Sequence, residues 1–338
     1  MRRKTAQMLN SKLKLDKNIL TNPKLADARD GLSEALLELG NENSNVVVIC
    51  ADLKESVNVG EFASKFKNRF VQCGIAEQNM AGISAGLALS GKIPYMISHG
   101  AFNPYRNWDQ IRLSICYPNA NVKIIASHTG FSNGPDGASA EPLEDIAIMR
   151  VLPNMVVINT VDNIETKKAV KEISKIKGPV YLRFAKTDLP IITSKETPFK
   201  IGKSYIYTEG KDATIVSCGP ILYEVLLAAK ILKIKHQIDI EVIASPTIKP
   251  LDKKTILNSA KKTGKVITVE EHQITGGLGA AVTAVWSEEQ KPAALKLLRI
   301  GVEDTFGESG NYKELKDKYG LSAHHIENKI IKFLEEKS

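Results

Sequence analysis

Short, wholly apolar runs rich in β-branched residues alternate with helix-patterned segments along most of this chain, and that alternation limits the fold more than any other feature. Val46–Cys50 (VVVIC) carries no polar residue, and similar runs fall at 69–73, 94–98, Lys123–Ser127, 155–159 and Val180–Arg183. Strands without a polar face are strands covered on both sides, which predicts an α/β fold with parallel sheets. Between them, residues 28–40 place Leu32, Ala35, Leu36 and Leu39 at helical spacing, with Gly40 positioned to close the helix. A small-residue helix is expected over 78–90, with Ala81, Ala85 and Ala88 on a face suited to close packing. Pro190 and Pro198 then break the pattern, and a second α/β unit resumes with strands at 212–217, 238–244 and 266–269 and a helix at 221–234. The predicted organisation is a basic extension over 1–25, a first domain over 26–190, a linker over 191–200 and a second domain over 201–338. A chain of 338 residues is long enough for two such cores.

The net charge of +8 raises the question of nucleic acid. Most of the excess lies in the first 24 residues, where Arg2, Arg3, Lys4, Lys12, Lys14, Lys17 and Lys24 face only Asp16. A nucleic-acid-binding domain concentrates its charge on a folded face. Here a solvated or partner-contacting tail is expected, and no nucleic acid. Cys50, Cys73, Cys116 and Cys218 show no metal-like spacing and mostly border apolar runs, which fits buried thiols in a reducing compartment. No apolar region follows the basic start as in a secretory signal, and the stretch over 80–89 is too short to span a bilayer. No membrane association and a cytoplasmic location are the expectations.

The most informative motif is Gly74-Ile75-Ala76-Glu77-Gln78-Asn79-Met80, which follows an apolar strand and opens a helix. Parallel sheets bind ligands at the carboxyl ends of their strands. An acid at a helix N-terminus is also favoured by the helix dipole alone, so the local pattern leaves both readings open. The wider segment GIAEQNMAGISAGLALSGKIPY resembles the transketolase family at its coenzyme glutamate, and the resemblance runs from about Ala28 to the C-terminus.

That resemblance implies a thiamine diphosphate pyrimidine-binding domain followed by a transketolase C-terminal domain. It makes Glu77 the acid that hydrogen-bonds N1′ of the aminopyrimidine and thereby activates the coenzyme. It places Phe102 as the ring that stacks on the aminopyrimidine, with His99 and Tyr105 at the same three-residue spacing and Asp52 also on the cofactor side. Ala28-Arg29-Asp30-Gly31-Leu32 and Ala51-Asp52-Leu53-Lys54-Glu55-Ser56 resemble segments that meet the substrate's phosphate, so Arg29 and Ser56 inherit that role. A guanidinium can hold two phosphate oxygens at once. Arg183, ending the last strand of the first domain, is the expected third member of a cationic mouth. The loop from Ser127-His128-Thr129-Gly130 to Gly134-Pro135-Asp136-Gly137 resembles the family's substrate loop, which assigns His128 and Asp136 to sugar hydroxyls and the catalytic centre.

Two positions depart from the family pattern. His99 stands where a hydrocarbon ring is usual, and Ala140, followed by Glu141, stands where a second histidine helps hold the donor sugar. Both point to altered substrate choice. The glycine loop Gly276-Gly277-Leu278-Gly279 is a weak phosphate signal, and close helix packing is expected there instead. No GDG sequence followed by NN is present, so the chain is expected to supply no metal ligands. The Mg²⁺ (or Ca²⁺) and the diphosphate would be held mainly by a partner, an N-terminal transketolase subunit, in an α2β2 heterotetramer. The expected activity is transfer of a two-carbon ketol unit from a phosphorylated ketose to an aldose. The rivals are the β subunit of a 2-oxoacid dehydrogenase, a deoxyxylulose phosphate synthase and a non-catalytic scaffold of the same fold.

Overall fold

The computed structural model describes residues 8–289 and 295–336, so Arg2, Arg3 and Lys4 of the basic start lie outside the described residues. The first domain runs β1 (Leu25–Asp27), α1 (Ala28–Glu42), β2 (Val46–Cys50), β3 (Phe70–Gln72), α2 (Glu77–Leu89), β4 (Ile93–His99), β5 (Lys123–Ser127), β6 (Val156–Asn159), α3 (Asn163–Ile173), β7 (Val180–Arg183) and β8 (Asp188–Pro190). The second contributes β9 (Tyr205–Thr208), β10 (Ala213–Ser217), α4 (Leu222–Ile231), β11 (Ile240–Ala244), β12 (Thr247–Lys249), β13 (Lys265–Gln273), α5 (Leu278–Ser287), β14 (Lys296–Val302) and α6 (Ala323–Glu335).

The apolar runs become the central strands, as their composition requires. Every residue of β2, β5, β7, β10 and β11 is buried. The larger sheet has the order β12-β6-β7-β5-β4-β2-β3 and the smaller one β14-β13-β10-β11-β9. All neighbours are parallel except two edge strands, β12 against β6 and β9 against β11. The sheets are thus the expected parallel α/β ones, each finished by one antiparallel edge strand. An edge strand is covered less, so β9 carries partly exposed positions and no continuous apolar run. β12, moreover, belongs in sequence to the second domain yet completes the sheet of the first.

Helix α1 extends past Gly40 to Glu42, so Gly40 does not close it. A Cβ there would strike the rings of Phe62 and Phe66, and the glycine instead admits those rings against the helix. Gly31 has a similar use, since a Cβ would meet the Asn163 carbonyl at the start of α3. In α2 the buried face is Met80, Ala81, Ser84 and Ala85, turned toward the chain's own core. The close packing of this small face is therefore internal to the chain, while Gly82 and Gly86 face open space.

From Met8 onward the basic start is not a free tail. Met8, Leu13, Ile19 and Leu20 are buried in the core of the second domain, and the Asn10 N–H donates to the Tyr207 carbonyl at 2.8 Å. Apolar residues spaced among the lysines anchor this strap, while the ammonium groups stay outside. The predicted linker is likewise pinned. Asp162 accepts from the Ile192 N–H at 2.8 Å and the Thr193 N–H at 2.6 Å. Lys168 Nζ donates to the Ser194 and Thr197 carbonyls, both at 2.5 Å. Among the described residues, no helix is long and apolar enough to cross a membrane.

Candidate active site

The site gathers at the carboxyl ends of β2, β3, β4, β5 and β7. Glu77 is the first residue of α2, only 5% exposed, and its backbone carbonyl accepts from Asn107 Nδ2 at 3.2 Å. Its side chain is paired with Arg106, Nη1 to Oε1 at 3.0 Å. The same guanidinium lies over the Phe102 ring, 4.1 Å from Cζ to the centroid. The chain turns helically from Phe102 to Arg106, whose N–H donates to the Phe102 carbonyl at 3.0 Å, so the two side chains share one face. Glu77, Phe102 and Arg106 thus form one stacked, ion-paired group.

Phe102 also borders a second cluster. His99, the last residue of β4, stacks on Phe102 with centroids 5.6 Å apart and on His128 at 3.6 Å. Ser56 Oγ lies 2.8 Å from His99 Nε2 and 3.3 Å from His128 Nε2, and Arg29 Nη1 donates to the Ser56 carbonyl at 2.8 Å. Asp27 caps α1 through the Arg29 N–H and grips the guanidinium through Oδ2 at 2.6 Å, fixing its direction. Burial pushes the His128 imidazole down to about 2, helped by His99, Lys186 and Arg29. Burial, then Lys186 and Arg29, push His99 down to about 4 against an opposing pull from Asp136. Both rings are therefore neutral near pH 7, and each can offer one donor and one acceptor. Arg29 and Lys186 both act on these rings with positive charge, partly offset at Arg29 by Asp27, and such a bias favours an anion beside them.

The structure brings together Glu77, Phe102, His99, Ser56, Arg29 and His128 from separate stretches of sequence. Asp136 is exposed at the rim and close enough to act on His99 electrostatically. Three of the expected site residues lie apart from both clusters. Arg183 is 2% exposed and paired with the fully buried Asp145, Nε to Oδ2 at 3.1 Å, so it faces the interior of this chain. Tyr105 turns away from Phe102, its hydroxyl bonded to Glu144 Oε2 at 2.8 Å in a cavity of about 280 Å³ shared with Ser139, Glu141 and Phe306. Asp52 is exposed beside β3 at φ 59°, its N–H bonded to Gln72 Oε1 at 2.6 Å, and no described contact ties it to either cluster.

Three further residues bear on the site, and the sequence marks only Glu141 among them. Lys186, three positions beyond Arg183 and past the strand end, supplies the positive charge expected of Arg183. Arg106 is readable only as the fourth residue after Phe102. Glu141 is 4% exposed with neither carboxylate oxygen in a well-formed hydrogen bond among the described residues. Burial and the nearby Glu271 raise it to about 7, offset only in part by the approaching Glu308 backbone. The glycine loop before α5 holds no anion site of its own, because Glu270 already accepts from the Leu278 and Gly279 N–H groups at 2.6 and 2.8 Å.

This fold and clustering coincide with comparisons to known proteins. Residues 24–191 match the transketolase pyrimidine binding domain and residues 202–326 the transketolase C-terminal domain. The chain belongs to the transketolase family. Within it, the chain groups with separately encoded C-terminal subunits. It is 45% identical to a putative transketolase C-terminal section of Methanocaldococcus jannaschii, over 90% of this chain and 95% of the relative. It is 38% identical to a 6-deoxy-6-sulfo-D-fructose transketolase subunit of Clostridium sp., over 88% and 91% of the two chains. A solved split-gene transketolase, described as an inactive β4 tetramer, is 42% identical with a TM-score of 0.84, covering 91% of this chain and 98% of that one.

Proposed function

We propose that this chain is the pyrimidine-gripping subunit of a two-chain, thiamine diphosphate-dependent transketolase that moves a two-carbon ketol unit from a ketose with an anionic end to an aldose. The observation that carries this reading is the double contact of Phe102. One neighbour is the Glu77–Arg106 pair and the other is the His99–His128–Ser56–Arg29 cluster. A coenzyme half-site and an anion half-site are thereby set side by side.

The fit to the coenzyme's aminopyrimidine is supported by what already lies there. A flat, delocalised, N–H-bearing guanidinium is held by Glu77 and by the face of Phe102. A carboxyl group beside a π face suits a flat nitrogen heterocycle that shares one proton with that carboxyl group and stacks on the ring. Once bound, the coenzyme supplies the carbon centre that carries the ketol unit. Glu77 would hold the ring nitrogen and its proton. Phe102 would fix the ring plane and exclude water. His128 and Asp136 would meet sugar hydroxyls, while Arg29, Ser56, His99 and Lys186 would hold the anionic terminus. Ala140 leaves the donor sugar without the imidazole usual in the family. A missing hydrogen bond of that kind is worth about 1–3 kcal/mol, enough to redirect sugar choice.

Diphosphate and Mg²⁺ (or Ca²⁺) are assigned to an N-terminal partner subunit in an α2β2 assembly in the cytoplasm. The description of the solved relative as an inactive β4 tetramer favours that dependence. The name of the Clostridium relative specifies a sulfonated ketose, so an anion other than phosphate also fits this reading. The test is ketol transfer by this chain mixed with the product of a neighbouring reading frame containing the GDG and NN sequences. Glu77→Ala should abolish turnover while the two chains still associate. Undiminished transfer in that variant would end the proposal.

A further inference from the structure

The reading above gives Arg106 no task toward coenzyme or sugar, yet its side chain covers both surfaces assigned to the coenzyme. Its guanidinium sits 3.0 Å from Glu77 Oε1 and 4.1 Å over the Phe102 ring. Those are the acceptor and the stacking surface that the aminopyrimidine would use. The carboxylate beneath is 5% exposed, whereas the arginine side chain is 47% exposed. Guanidinium groups stack on aromatic faces and bond to carboxylates at the same time, which an ammonium cannot do as well. One cation therefore satisfies both surfaces while the heterocycle is absent.

We infer that Arg106 is the residue that holds the pyrimidine seat and must leave it for the coenzyme to bind, so that this side chain sets coenzyme affinity. The inference rests on the assignment of Glu77 and Phe102 to the coenzyme. The pair keeps a buried acid from standing unpartnered before assembly, which would otherwise be costly. It also leaves Glu77 Oε1 already bonded. The consequence is a competition: each coenzyme molecule displaces an ion pair and a cation–π contact that the free subunit makes for itself.

The experiment is calorimetric titration of thiamine diphosphate into the complex of this chain with its N-terminal partner, at saturating Mg²⁺. Arg106→Ala frees both surfaces and should bind the coenzyme roughly three- to thirtyfold more tightly, the range set by a half-exposed ion pair and a cation–π contact. Arg106→Lys keeps the charge but not the flat face and should fall between the two. Added salt should bring the wild-type affinity toward that of Arg106→Ala, because screening weakens the competing pair. Affinity that is unchanged or weaker in Arg106→Ala overturns the inference. Glu77→Ala run alongside separates the two levels. If it binds as tightly as wild type, the coenzyme assignment itself fails. If Glu77→Ala weakens binding and Arg106→Ala does not strengthen it, only the displacement idea fails.

Discussion

Replacing Arg183 with alanine should cost this protein roughly 3–5 kcal/mol of stability, because it strips the partner from a buried carboxylate. Asp145 is completely buried, and its remaining hydrogen bond is from the Tyr181 hydroxyl at 2.6 Å. Without the guanidinium it would be an unpaired charge in a dry environment, with space left by the largest fully buried side chain of the described residues. Typical domains are stable by only about 5–15 kcal/mol, so the loss should be plain in urea unfolding followed by circular dichroism. Arg183→Met with Asp145→Asn removes both charges at similar volume and should recover most of the deficit, since a buried pair deleted whole is far less costly than one halved. Arg29→Ala is the informative contrast. Arg29 is partly exposed, so its loss should cost under about 1 kcal/mol of stability while raising KM for an anionic ketose. An Arg183→Met single variant of wild-type stability with a raised KM for that ketose would refute this reasoning and return Arg183 to the substrate mouth.

Two pH effects follow from the buried groups. His99 and His128 have folded values below that of a free imidazole, so below pH 6.5 the unfolded chain binds more protons. Stability should thus be fully present above about pH 6.5 and fall as pH drops through 4. His99→Phe should flatten that acid slope in unfolding measurements, and an unchanged slope would contradict the burial of the ring. Glu141 has the opposite sign. Its folded value is raised to about 7, so its burial costs stability progressively as pH rises from about 4.3 to that value. Glu141→Gln should therefore raise the melting temperature at pH 8 by more than at pH 5, and equal shifts at both would argue that the carboxylate is solvated.

The centre of the molecule is legible in the sequence and its margins are obscure. Runs such as VVVIC have no polar face to expose, so their burial between helix layers can be read one segment at a time. Glu77 is readable because a strand end and a helix start meet there in a few residues. The fate of Arg183 is not, because its partner Asp145 lies 38 positions earlier on a different element and nothing local announces the pairing. Charge misleads at the start of the chain. Seven cations over 24 residues suggest a solvated tail, whereas the anchoring depends on Met8, Leu13, Ile19 and Leu20, which show no regular spacing. The antiparallel edges β9 and β12 are hidden for a related reason, being short strands whose place is set by a neighbour rather than by their own pattern. Arg106 and Lys186 escape notice because each acts on a site residue from just outside the matching motif.

The strap from Met8 to Leu20 and the three residues of β12 cross in opposite directions. The beginning of the chain fills the second core, and a strand from beyond the linker finishes the first sheet. Severing the backbone between 190 and 200 would therefore yield two fragments, each lacking a piece borne by the other. Neither half is self-sufficient, and any attempt to obtain the pyrimidine-gripping part by itself must carry Thr247–Lys249 along with it.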